Sequence, residues 1–297
     1  LALLRELWGR QWGVPEPRLA AVSTNSTAAL RAFLRGEAFV RAAMWDSAAG
    51  ALAEAVDLDS TFALAHLRLA EPYGWRYGMA SPPSQRALAA AGRFVERLPP
   101  RERMLLTVRR LHEDGQLAAL DSSAELAERY PDDPEAQYVA ADVRFHAMEA
   151  LGRTMIERAV AAFDTAIVLD STSARVYAHP VTLALFLGDS ARLARYTRQL
   201  ASLGGGSNMQ VADRWDYSML ARVRFASPTD GLRAFGERLR AGAPPAWQLA
   251  DLLSSAERAA IDAGTPLVMD SLYERLRGAY RDDAHAAADL ELRRQIW

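Results

Sequence analysis

Along most of the chain, apolar residues recur every three or four positions, and arginine, aspartate or glutamate interrupts them before a long apolar run develops. That spacing predicts amphipathic helices. Two related stretches set the organisation. Trp45 to His66 reads WDSAAGALAEAVDLDSTFALAH, and Ile156 to Tyr177 reads IERAVAAFDTAIVLDSTSARVY. Each carries alanines at helical spacing (Ala48, Ala51, Ala55; Ala159, Ala162, Ala166), then an LDST stop, then a new apolar run. Alanine on one face lets neighbouring helices approach closely, and Asp-Ser-Thr offers side-chain oxygens to cap the helix that follows. A helix end, a tight turn and a helix start, repeated, predict stacked helical hairpins. Asp59 and Asp170 lie 111 residues apart, close to three periods of about 34 residues with short insertions.

The same pattern divides the chain in order. Residues 1–12 read as an amphipathic helix ended by GVPEP. Ser23 to Thr27 offers several N-caps for a helix from about Ala28 to Ala43, in which Gly36 provides the small residue for a crossing with a partner helix from Trp45 to about Leu58. A second hairpin starts at Phe62, breaks at a long aromatic turn, GWRYGMASPPS, and resumes at SQRALAAAGRFVERL. The third pairs RERMLLTVRRLHED with LAALDSSAELAERY across Gly115. The fourth follows the stop Tyr130 to Pro134, with a long turn expected around Gly152. The fifth pairs ARVYAHPVTLALFL with ARLARYTRQLASL across GDS, and Pro180 is expected to kink its first helix.

Gly204-Gly205-Gly206-Ser207 predicts the main boundary, beyond which the repeat register fades into degenerate hairpins and a terminal capping helix. The expected division is an N-terminal helix and linker over 1–26, repeats over 27–207 and degenerate helices over 208–297. A start at Leu1 in mid-helix suggests an upstream region. Strand signals are absent, because no six residues alternate apolar and polar with β-branched enrichment.

Composition narrows the chemistry. Net charge is −2 over 297 residues, so no global field favours nucleic acid or an anionic membrane. No apolar run approaches the roughly 18 residues of a membrane span, so no membrane insertion is expected of this segment. All 35 basic residues are arginine, which excludes a Schiff-base or phosphate-loop lysine. With no cysteine, thiol nucleophiles, zinc thiolates and disulfides are excluded too, and the compartment is left open.

Gly36, Ala48, Leu52 and Ala55 with the first LDS stop, Tyr138, Ala159, Phe163 and Ala166 with the second, and Tyr177, Gly188 and Asp189 after it resemble the tetratricopeptide repeat family. Ser60 and Ser171 depart from it, standing where proline is usual. The likeness covers about residues 27–203, and TNSTAALRAFLRGE with LPPRERMLL also resembles the repeat tails of bacterial multidomain regulators such as eukaryotic-like Ser/Thr kinases. The resemblance implies an all-α, right-handed superhelical solenoid of antiparallel helix hairpins that binds protein or peptide.

Candidate chemistry is sparse. The histidines are His66, His112, His146, His179 and His285; none forms HExxH and no pair shares a helical turn, so no local metal motif exists. His112, His146 and His179 sit on the first helices of successive units, where they can line one groove. Asp132-Asp133 and Asp282-Asp283 read as helix caps. Serine lacks a GxSxG elbow, the triple glycine lacks a phosphate-loop lysine, and Arg109-Arg110 and Arg293-Arg294 read as solvated helix faces. The Tyr73, Trp75, Tyr77 turn carries residue types that dominate interfaces, and Trp215 and Tyr217 are a weaker second example.

The expectation is a non-catalytic scaffold with no cofactor and no nucleic-acid partner. Its concave partner-binding face is expected to include Arg68, Glu71, Trp75, Tyr77, His112 and His146. A small-ligand sensor or all-helical enzyme with a groove near Trp75 and His112 is the competing expectation, and a structural spacer is the third.

Overall fold

The computed structural model describes residues 24–151 and 153–203, positions 253, 257, 260 and 261, and residues 267–296, apart from the side chains of 148–154 and of a few residues in the last two helices, His285 among them. The elements are α1 (Thr27–Arg41), α2 (Trp45–Leu58), α3 (Ala63–Tyr77), α4 (Pro82–Arg93), a 3-10 turn (Val95–Arg97), α5 (Pro100–Glu113), α6 (Ala118–Arg129), α7 (Pro134–Leu151), α8 (Arg153–Leu169), a second 3-10 turn (Ala174–Tyr177), α9 (Ala178–Leu187), α10 (Ser190–Ser202), α11 (Leu267–Ala279) and α12 (Ala284–Ile296). No strand occurs among the described residues. The chain divides between Val176 and Tyr177 into two compact units. In the first, each helix from α1 to α8 packs on the next, and α1 also touches α3. In the second, α9 packs on α10 and α11 on α12. The predicted helix at 1–12, the 204–207 break, and Trp215 and Tyr217 lie outside the described residues.

Local chemistry accounts for these boundaries. Ser26 caps α1, its hydroxyl accepting from the Ala29 N–H at 3.2 Å. Asp133, Asp189 and Asp283 do the same for α7, α10 and α12, accepting from Ala136, Arg192 and Ala286, so the acidic pairs act as caps as their positions predict. Helices α1, α5 and α9 end alike. A left-handed residue (Ala43 at φ 55°, Gly115 at 65°, Gly188 at 70°) lets the following N–H reach back five residues to Phe39, Leu111 or Ala184.

The two LDST stops share one geometry, and it differs from the expected cap. Asp59 Oδ1 accepts from the Thr61 N–H and hydroxyl at 3.0 and 2.7 Å, and Asp170 Oδ1 from Thr172 at 3.2 and 2.7 Å. Each aspartate therefore closes its own turn. Helix α3 has Phe62 at its N-cap position and no side-chain cap.

Three expectations about turns are corrected. Helix α3 runs through Pro72 and Gly74 to Tyr77, so the aromatic segment is mostly helical and the gap before α4 is short. Pro72 withholds one N–H from the ladder, at the Arg68 carbonyl, and the buried faces on both sides hold the helix across it. Only position 152 separates α7 from α8. Pro180 falls in the first turn of α9, where an N–H would lack an intrahelical acceptor, because the 3-10 turn ends just before it.

Helix crossings use the small residues that the pattern singled out. A Cβ on Gly36 would stand 2.5 Å from Leu52 Cγ, so only glycine fits where α1 meets α2. Ala48, Ala55, Ala159 and Ala166 are completely buried. Phe33 packs on Phe62 with centroids 5.1 Å apart, and Tyr138 meets Phe163 edge-on at 6.2 Å.

Candidate functional site

Helices α1, α3, α5 and α7 each send charged side chains to one buried network, and the 3-10 turn after α8 closes it. Arg68 of α3 lies 3.3 Å from Glu37 of α1 and 2.8 Å from Glu135 of α7. Arg175 donates through Nη1 to both oxygens of Glu71, at 2.9 and 2.8 Å, and through Nη2 to Glu135. Its guanidinium also sits 4.4 Å from the centre of the Tyr138 ring. Arg109 of α5 extends the chain, reaching Glu71 at 3.3 Å and Asp142 at 3.5 Å. Arg101, paired with Glu102 and held by both oxygens of Asp133, flanks the network at the start of α5.

Isolated charges at this depth would be prohibitively costly, and their mutual pairing is what keeps them ionised. Burial alone would lower the Arg68 and Arg175 values. The Glu135 carboxylate, with Glu37 for Arg68 and Glu71 for Arg175, more than reverses that and holds both above the ordinary arginine range. Burial, then the charges of Asp142 and Glu71, pushes the Tyr138 hydroxyl well up, so it stays neutral. Burial also raises Glu113, against hydrogen bonds from Ser84 and Ala80.

The network leaves little space. A cleft of about 30 Å³ lies among Glu37, Arg68, Glu135, Asp170 and Arg175, enough for about one water and far below a metabolite pocket. Its edge is sealed by Arg41 of α1, which pairs with Asp170, donates to the Thr172 hydroxyl at 2.8 Å and lies 129 residues before that aspartate. Burial would raise the Asp170 carboxyl, but the hydrogen bonds from Arg41 and Thr172 hold it below the usual range.

The aromatic segment forms a separate surface at the end of α3. Trp75 stacks on Trp45 with centroids 5.0 Å apart and planes 5° from parallel. Trp45 is buried and Trp75 half-buried, so this indole pair anchors α3 to α2. Beyond it the surface opens. Tyr77 is 50% exposed and Met79 44%. The Arg76 guanidinium lies 5.1 Å from the centre of the Tyr77 ring, and its Nε pairs with Asp46 at 3.1 Å.

The structure therefore brings Arg68 and Glu71 together inside the fold, with both charges committed to partners in the chain. Trp75 and Tyr77 lie on the aromatic rim. His112 and His146 meet each other, with ring centroids 5.2 Å apart and Asp142 beside both. His66 donates through Nε2 to the Ser60 carbonyl, 2.9 Å away, and His179 belongs to the second unit. Glu135, Asp142 and Arg175 were not singled out by sequence. Arg109 is half-buried and paired with Glu71, while Arg110 beside it is exposed, which corrects the reading of that pair as a solvated face. The available signal was Asp142 inside the apolar run YVAADVRF, a charge on a face that burial claims. No described helix is long and apolar enough to cross a membrane. Compared with known proteins, the chain matches no family model and none of the curated proteins.

Proposed function

We propose that the chain is a non-catalytic protein- or peptide-binding scaffold, built as a right-handed solenoid of antiparallel helix hairpins of the tetratricopeptide kind, within a larger bacterial regulatory or signalling protein. Its contact surface is the aromatic rim at the end of α3. One observation carries this reading: Tyr77 and Met79 stand exposed beside the stacked Trp45–Trp75 pair, with the Arg76 cation on the Tyr77 ring. Aromatic, methionine and arginine side chains clustered in this way are the composition of interface hot spots.

The interior charges play a different part in this reading. Arg68, Glu71, Glu135 and Arg175 specify how the helices stack, because their pairing demands one register of α1, α3, α5 and α7. A small-ligand site among them finds no support in a cleft of about 30 Å³. The partner favoured by the rim is a protein segment that places an apolar side chain against Tyr77 and Met79 and a carboxylate near Arg76. Affinity capture with the wild-type chain and with a Tyr77→Ala, Met79→Ser double variant tests it. Loss of a specific partner from the variant, with helix content unchanged, is expected; equal recovery contradicts the rim as the contact surface.

A further inference from the structure

We infer that His112, Asp142 and His146 form a binding site for one divalent transition-metal ion of the zinc class. Asp142 and His146 lie four residues apart on α7, which puts their side chains on one face of that helix. His112, in the last turn of α5, meets them from the neighbouring helix. One donor atom from each of the three falls within 4.8 Å of the other two. His146 Nε2 is 3.7 Å from Asp142 Oδ1, and His112 Nε2 is 4.0 Å from Asp142 Oδ2.

Donors held about 2.1 Å from a tetrahedral zinc stand about 3.4 Å apart, so three donor atoms that already lie within 4.8 Å of one another need to close by at most about 1.4 Å, a shift that side-chain rotation supplies. The side chain that must move most easily is His146, and it is the exposed one, whereas His112 and Asp142 are buried. Two imidazoles and one carboxylate are the ligand types that zinc and its neighbours take when a further position stays open to water or another donor. Calcium and magnesium, which prefer oxygen alone, fit this set poorly.

The surrounding charge favours a cation at this spot. Arg68, Arg109 and Arg175 face Glu37, Glu71, Glu135 and Asp142, three guanidiniums against four carboxylates. Asp142 terminates that chain of pairs at the histidine edge. A divalent ion bound by neutral imidazoles offsets the surplus where it occurs. Arg109, on Asp142 Oδ2 at 3.5 Å, then acts as an outer partner that orients the carboxylate. The site lies apart from the Tyr77 rim in its residues and does not depend on the scaffold reading.

The test uses the untagged full chain, titrated with Co2+ and followed by visible absorption, and with Zn2+ followed by calorimetry and thermal unfolding. One equivalent of metal is expected to bind, with a rise in melting temperature that grows with free metal. His146→Ala, at the exposed edge, should keep the helical circular-dichroism spectrum and weaken binding by roughly tenfold or more; His66→Gln should bind as the wild type does. Absence of one-equivalent binding in the wild type overturns the site. So does an affinity that His146→Ala leaves unchanged while His66→Gln lowers it, since the ion would then sit elsewhere.

Discussion

Arg175 lies 104 residues beyond Glu71 in the chain, yet its Nη1 donates to both oxygens of that carboxylate inside the first unit. The segment that follows the second LDST stop is thus bound to the interior of the helix layers that precede it. Replacing Arg175 by Met should cost about 3–5 kcal/mol, since Glu71 and Glu135 would remain buried with less compensation. Adding Glu71→Gln to that variant should recover part of the loss. Chemical denaturation of the two singles and the double measures the coupling; additive losses would mean that the pair contributes nothing of its own.

Two glycine-to-alanine substitutions should destabilise for different reasons. Gly36→Ala puts a methyl into the body of buried Leu52 and should cost about 1–3 kcal/mol by overpacking. Gly115→Ala meets nothing within 4 Å but must hold φ at 65°, a left-handed backbone that costs an L-residue about 1–2 kcal/mol. Pairing each with a compensating change separates the causes. Leu52→Ala should relieve Gly36→Ala relative to its effect on the wild type, and should do nothing for Gly115→Ala. Equal effects in both backgrounds would refute the clash.

The acid limb of the stability profile should depend on Asp170. Its carboxyl is held below its ordinary value of 3.8, against burial, by hydrogen bonds from Arg41 and Thr172. The sign follows: this stabilisation is present above about pH 3.8 and is lost as pH falls through the lower, folded-state value. Asp170→Asn should therefore lower stability at neutral pH and flatten the decline on acidification. A variant whose acid unfolding curve keeps the wild-type slope would show that the Arg41–Asp170 contact has no such linkage.

Fold and site were legible to different depths. The helix positions followed from local chemistry, because Ser26, Gly115, Asp133 and Gly188 act within a few residues of themselves. Gly36 opposite Leu52 was likewise visible as a small residue on an apolar face. The turn expected at GWRYGMASPPS misled, since buried contacts on either side of Pro72 carry the helix on to Tyr77. The LDST stops were found, but their aspartates bind their own turns, a choice between two nearby donors that spacing does not decide. The buried network was illegible as a network. Glu71 and Arg175, or His112 and Asp142, share no local signature and meet only through the packing of several helices.

Trp75 anchors α3 on Trp45, so Trp75→Ala should reduce stability by about 3–5 kcal/mol, as loss of a packed indole does, and any loss of binding in that variant would be ambiguous. Tyr77→Ala should change the melting temperature little, because half of that side chain already faces solvent. Thermal unfolding of the two variants side by side checks the assignment of anchor and contact residue. A Tyr77→Ala variant as unstable as Trp75→Ala would make the whole rim structural.

The scaffold reading is tested most directly by placing a photo-activatable benzoyl-phenylalanine at Tyr77 and, in a separate chain, at Val168, which is 84% exposed on α8. Irradiation after incubation with the host extract, followed by mass spectrometry, reports what touches each surface. A discrete partner protein crosslinked from position 77, absent from position 168 and competed away by excess unmodified chain, is the predicted result. The same proteins crosslinked from both positions, or none competed from position 77, would contradict a binding surface at the end of α3.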